Sequence, residues 1–180
     1  MNVFVFLADG FEEIEGLTVV DLLRRAEIDT TTVSIMEGKE VNGAHGIKVS
    51  ADKTFEEIKD QDLDMIVLPG GMPGTLNLQA HKGLEEKILA NAKEDRYLAA
   101  ICAAPSVFAA LGLLDGKVAT SYPSFEEALS KSNYVYEPVA VDGKIITSRG
   151  MGTAILFGAK LIEIIKGKEK ADEVLESIVY

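Results

Sequence analysis

Cysteine is nearly absent from this chain. The single Cys, at position 102, rules out an internal disulfide and any metal site built from several thiolates. Such usage fits a reducing compartment, and a cytoplasmic protein is expected. Positive charge is scarce as well: 18 Lys and Arg stand against 29 Asp and Glu, for a formal net charge of −11. Arg24-Arg25 is the only adjacent basic pair, so a nucleic-acid backbone finds no electrostatic attraction and is not an expected partner. The two histidines, His45 and His81, have no metal-type partner near them in sequence, and both read as surface or structural groups; no metal or other cofactor is expected. No basic stretch followed by an apolar core and a cleavage site opens the sequence, so no secretory leader is expected. One uncharged stretch, Tyr97 to Leu114, approaches the length of a membrane span. Pro105 breaks it and Ala and Gly dominate it, so a buried strand plus a helix is the better account, and no membrane is expected. Repeats, low-complexity segments and linkers are missing too. With 47% apolar residues in 180, the chain reads as a single domain over 1–180.

Apolar runs and helical stripes alternate along the sequence. Asn2 to Leu7 is a continuous apolar run, as expected of a parallel strand covered on both faces. Helical spacing follows from Glu15 to Ala26, then a Thr/Val/Ile-rich strand from Thr30 to Met36. Glu37 to Ala51 reads as a small hairpin, and Thr54 to Ile58 as a capped turn or short helix. Asp64 to Leu68 is a core strand ending in a glycine loop. A helix is expected over 81–93, a strand over 97–101 and a short helix over 106–112. Short strands follow at Lys117–Thr120 and Pro138–Val141. The Asp142-Gly143 turn then leads into Lys144–Thr147, and the end is helical over 152–166 and 169–177. The class is α/β, a doubly wound, mainly parallel sheet with helices on both faces. Sites in such folds form at the carboxyl ends of the strands. Four loops should meet there: Asp9–Glu15, Pro69–Gly74, Cys102–Pro105 and Thr147–Gly152.

The lone cysteine ends a strand. Ala103 and Ala104 leave room for a sharp turn, and Pro105 suits the first turn of the next helix. Strand, nucleophile, helix is the order of a nucleophile elbow, with Cys in place of Ser. Unpaired N–H groups and the dipole at a helix start favour thiolate and lower its pKa. The same N–H groups can hold an oxyanion. A free cysteine otherwise serves as a small buried hydrophobe. Gly70-Gly71 can present backbone N–H groups to an oxyanion or form a plain tight turn. Pro69–Gly74 lacks the Gly-Lys-Ser/Thr of a phosphate loop and is no GxGxxG fingerprint. Glu12, Glu13 and Glu15 lie where the first strand gives way to the first helix. One of them, held in an apolar crevice, could exchange protons with a substrate, and the residues alone leave that choice open. Arg149, in a Ser-Arg-Gly loop, is a candidate for an acidic ligand or an intersubunit contact.

Leu7-Ala8-Asp9-Gly10-Phe11-Glu12-Glu13-Ile14-Glu15, Val67-Leu68-Pro69-Gly70-Gly71, Ala100-Ile101-Cys102-Ala103-Ala104-Pro105 and Thr147-Ser148-Arg149-Gly150 together resemble the ThiJ/PfpI superfamily over essentially the whole chain. Within it they resemble the branch of the parkinsonism-associated protein and its bacterial relatives. The resemblance implies a flavodoxin-like sandwich and a homodimer. It also implies a nucleophilic Cys102 and a protonated Glu15 hydrogen-bonded to it. The backbone N–H groups of Gly71 and Ala103 are then the oxyanion pocket, with Arg149 at the rim or dimer contact. Two departures stand out. Tyr122 occupies a position where many relatives carry a histidine, which removes a Cys-His couple while leaving a hydroxyl donor. His45 stands in the hairpin where the human-type protein has arginine, near the partner's pocket in the family dimer; it is therefore a candidate cross-subunit site residue. The implied activity is a glutathione-independent glyoxalase or deglycase acting on methylglyoxal and related α-oxoaldehydes. The alternatives are a redox-responsive stress protein or chaperone using the same cysteine and, more distantly, an amidase or peptidase.

Overall fold

A computed structural model describes residues 1–180. The strands are β1 (Asn2–Leu7), β2 (Asp29–Ser34), β3 (Glu40–Asn42), β4 (Lys48–Ser50), β5 (Lys53–Thr54), β6 (Met65–Leu68), β7 (Tyr97–Ile101), β8 (Val118–Ala119), β9 (Asn133–Tyr134), β10 (Val139–Asp142) and β11 (Ile145–Ser148). The helices are α1 (Glu13–Arg25), α2 (Phe55–Ile58), α3 (Gly74–Ala80), α4 (Lys82–Lys93), α5 (Pro105–Ala110), α6 (Ala154–Lys166) and α7 (Lys168–Ser177). The central sheet has the order β10-β11-β7-β6-β1-β2-β5. Every neighbouring pair is parallel except β10 with β11, the hairpin turned at Asp142-Gly143. Without its two outer strands this is the flavodoxin-like order, and it reverses direction between β1 and β6.

Side chains alternate across the sheet, so each strand feeds two cores. Val3, Val5 and Leu7 join Val67, Ala99 and Ile146 beneath α1, α6 and α7, where Leu23, Phe157 and Val174 cover them. Phe4 and Phe6 join Ile66, Leu68, Leu98 and Ala100 on the other face, under Phe55, Leu78, Ile88 and Phe108. The burial of β1 on both faces is why it carries no polar residue after Asn2.

The hairpin is β3 paired with β4, and Thr54 begins α2 with its N–H donating to Glu57 at 2.7 Å. His81 caps α4, its Nδ1 accepting from the Leu84 N–H at 3.0 Å while its ring packs on Phe55. One expectation is corrected. Helix α3 follows immediately on the glycine loop, where no helix was expected. It buries little beyond Leu78, so its sequence carries no apolar stripe. The short strand expected over 117–120 forms at Val118–Ala119 and pairs with β9 in a separate two-stranded ribbon. No helix is long and apolar enough to cross a membrane.

Candidate active site

The chain reversal between β1 and β6 brings the loops after β1, β6, β7 and β11 together. Cys102 follows β7 directly, and its backbone has φ +65°, a left-handed conformation that a Cβ disfavours. Neighbouring loops clamp it there. Its N–H donates to the Ser148 carbonyl at 3.0 Å, and its own carbonyl accepts from the Tyr122 N–H at 2.8 Å. Pro105 opens α5 without an N–H to leave unpaired. The thiol is half-buried.

Glu15 reaches the same place from the first turn of α1. It is 1% exposed. Its Oε2 accepts from the Gly70 N–H at 2.9 Å, and the Cys102 thiol and the Met151 N–H lie near enough to its carboxyl to favour the charged form. Contact here is close enough to dictate the glycines. A Cβ at Gly70 would lie 2.7 Å from both the Cys102 Cβ and Glu15 Oε2. Gly71, at φ +91°, turns back so tightly that a Cβ would meet the Glu12 nitrogen at 2.3 Å. The N–H groups of Gly71 and Ala103 face the sulfur. Gly70 and Gly71 therefore differ: the Gly70 N–H is taken by Glu15, and the Gly71 N–H is the one directed at Cys102.

Burial pushes the Glu15 carboxyl up to about 7, against hydrogen bonds from Cys102 and Gly70, and the charge of Glu12 adds to the rise. Burial also pushes the Cys102 thiol up, and the Glu15 carboxylate beside it carries it to about 12; the N–H groups of Ala103 and Gly71 act the other way. This reverses the lowered thiol pKa expected from a helix start. α5 is only six residues long and contributes little dipole, whereas a buried carboxylate against the sulfur opposes a second negative charge. The opposition vanishes when Glu15 holds the proton, because its O–H then donates to the sulfur. Cys102 and Glu15 are therefore coupled and titrate as a pair, the first proton leaving near neutral pH.

The remaining expected site residues lie around this pair. Tyr122 is exposed. Its ring carbon Cδ2 lies 3.4 Å from the position a Cβ would take on Gly150, and its hydroxyl bonds to nothing in the chain, so the expected donor is unengaged. Arg149 points away from the sulfur: it donates to the Tyr136 carbonyl at 3.3 Å and stacks over the Tyr136 ring. His45 does not reach Cys102 of its own chain. Contrary to the expectation of no partner, its Nδ1 lies 2.9 Å from Glu13 Oε2 and 3.6 Å from Glu12 Oε2. The hydrogen bond to Glu13, then the charges of Glu12 and Glu13, raise its pKa above the ordinary value. Donor atoms of Glu12, Glu13 and His45 lie within 4.8 Å of one another, the spacing of a cation site. Both Glu13 oxygens are already engaged, however: Oε1 by the His45 and Ile47 N–H groups, Oε2 by the His45 ring. The trio ties the hairpin to α1. Sequence reasoning missed this tie because its residues lie more than thirty positions apart.

Fold and site together define a class, flavodoxin-like proteins that set an elbow cysteine against a buried carboxyl. The chain belongs to the DJ-1/PfpI family, whose profile matches residues 1–164. It is 43% identical over 176 residues to protein DJ-1 homolog A of Arabidopsis thaliana, covering 96% of this chain but only 45% of that longer protein. It is 31% identical to the glutathione-independent glyoxalase DJ-1 of Schizosaccharomyces pombe, over 99% of this chain and 98% of the relative. Among solved structures, oxidized Toxoplasma gondii DJ-1 superposes with a TM-score of 0.95 at 34% identity, covering 99% of this chain and 98% of that one.

Proposed function

We propose that this protein is a cofactor-free glyoxalase that converts α-oxoaldehydes such as methylglyoxal to 2-hydroxy acids, or releases them from early adducts as a deglycase. The observation that carries the reading is the buried Glu15 carboxyl set against the elbow cysteine, Cys102, with the Gly71 and Ala103 N–H groups facing the sulfur. Cys102 sulfur adds to the aldehyde carbon. The carbonyl electron pair moves to oxygen, where the Gly71 and Ala103 N–H groups hold it until it takes the proton released by the Cys102–Glu15 pair, which leaves Glu15 as the carboxylate. Glu15 removes the proton from that carbon to give an enediol and returns it to the neighbouring carbon, leaving a thioester. Water then cleaves the carbon–sulfur bond and releases the hydroxy acid and the thiol. The aldehyde carbon is oxidised and the ketone carbon reduced, so no external oxidant or reductant enters. The name of the fission-yeast relative supports the assignment.

A homodimer is part of this reading. Ile14 and Leu17 on α1 and Ile47 in the hairpin are exposed, as is His45 beside them, which supports a contact between copies at this face and a role for His45 in the partner's pocket. An amidase or peptidase is disfavoured, because both histidines are engaged away from the sulfur. A redox-responsive role has one observation behind it, the oxidized state of the Toxoplasma relative. Proton NMR with methylglyoxal and no glutathione separates the two readings. Lactate from the wild type and none from Cys102→Ser is expected. Lactate from neither, with peroxide-dependent mass gain at Cys102, would replace the enzyme by the redox protein.

A further inference from the structure

Gly150 is a glycine that its own backbone does not require. Its φ of 164° is extended and open to any residue. Added at Gly150, a Cβ would meet nothing closer than ordinary contact: Tyr122 Cδ2 at 3.4 Å, Glu15 Oε1 at 3.9 Å and Cys102 Sγ at 4.0 Å. At Gly70 and Gly71, by contrast, a Cβ would collide with neighbouring atoms. The missing side chain at 150 therefore leaves a methyl-sized gap, and its three walls are an aromatic ring, the proton-carrying carboxyl and the nucleophilic sulfur. The residue is itself buried, so the gap belongs to the floor of the site.

We infer that this gap seats the apolar substituent of the substrate, with the Tyr122 ring as its wall. The inference rests on the glyoxalase reading above and adds a specificity to it. Once sulfur has bonded to the aldehyde carbon of methylglyoxal, the methyl carbon is three bonds from Sγ, a separation that suits the gap. Its apolar face meets the Tyr122 ring, while the oxygens are left for Glu15 and the N–H groups. Glyoxal has only hydrogen at that position and leaves the gap empty. The site accordingly favours methyl ketoaldehydes over glyoxal. Filling a methyl pocket changes discrimination by about tenfold or more.

The test compares kcat/KM for methylglyoxal and glyoxal, read as lactate and glycolate, in the wild type, Gly150→Ala, Tyr122→Phe and Tyr122→Ala. The methylglyoxal-to-glyoxal ratio should fall about tenfold in Gly150→Ala, through KM for methylglyoxal, because the alanine methyl occupies the seat. Tyr122→Phe should keep the ratio, since the ring remains, and Tyr122→Ala should lower it by a smaller factor. Turnover of both aldehydes with the ratio unmoved in Gly150→Ala and Tyr122→Ala would overturn the seat and leave the enzyme reading standing. Turnover of neither by the wild type would overturn both. A Gly150→Ala chain that failed to fold would contradict the room inferred for its Cβ.

Discussion

Glu13 and Glu15 stand two residues apart in one helical turn, 2% and 1% exposed, and are driven in opposite directions. Burial alone would raise both. Glu13 overcomes it because the His45 ring, its own N–H and those of His45 and Ile47 all donate to it, and its pKa falls to about 2. Glu15 receives the Gly70 N–H at 2.9 Å and feels the charge of Glu12, so it keeps its proton to about 7. Two carboxyls equally closed to solvent thus diverge through the donors that reach each one and the weight of protein packed behind it. The hairpin makes Glu13 a fastener, and the glycine loop leaves Glu15 with a proton to exchange.

The sharpest way to break this contrast is Glu15→Gln. Turnover of methylglyoxal should fall by about 10²–10⁴-fold, with the fold retained. The wild-type kcat/KM should rise with pH through about 7, as the pair loses its first proton, and the Gln variant should lack that limb. Glu13→Gln should do the reverse, losing about 1.5–3 kcal/mol in urea unfolding at neutral pH while reducing turnover far less. The sign of its pH dependence follows from a depressed pKa. The stability Glu13 contributes is present above 4.5 and lost as pH falls towards about 2, so the gap between wild type and variant should close in acid. Glu15 works the other way: its raised pKa makes its stability contribution greatest below 4.5 and lost as pH rises through about 7. The smallest effect expected is on the position of the activity limb. Glu12→Gln removes a negative charge that raises Glu15 and should move the limb down, whereas His45→Ala leaves Glu12 uncompensated and should move it up. Paired pH–rate profiles read both shifts, and a common direction would refute the electrostatic link.

This contrast is also where the sequence ran out. The turn at Cys102 was legible because strand, cysteine and Pro-led helix are contiguous, and β1 because burial on both faces leaves an apolar run. The choice among Glu12, Glu13 and Glu15 was not, since their donors come from Gly70, His45 and Ile47, far along the chain. Only the family resemblance singled out Glu15 in advance. The rise in the Cys102 pKa was misread for the same reason. The local helix start was visible, and the carboxyl supplied by α1 was not. Helix α3 escaped because a helix that buries few apolar side chains writes no periodic stripe.

One torsion angle at Cys102 sets reactivity against sturdiness. Glycine is the residue that a φ of +65° would welcome, and glycine there would end any thiol chemistry. Along this short stretch, improvement of the chain as a folded object and retention of its one thiol pull apart. Stabilising replacements selected at position 102 for the fold alone would discard the thiol first.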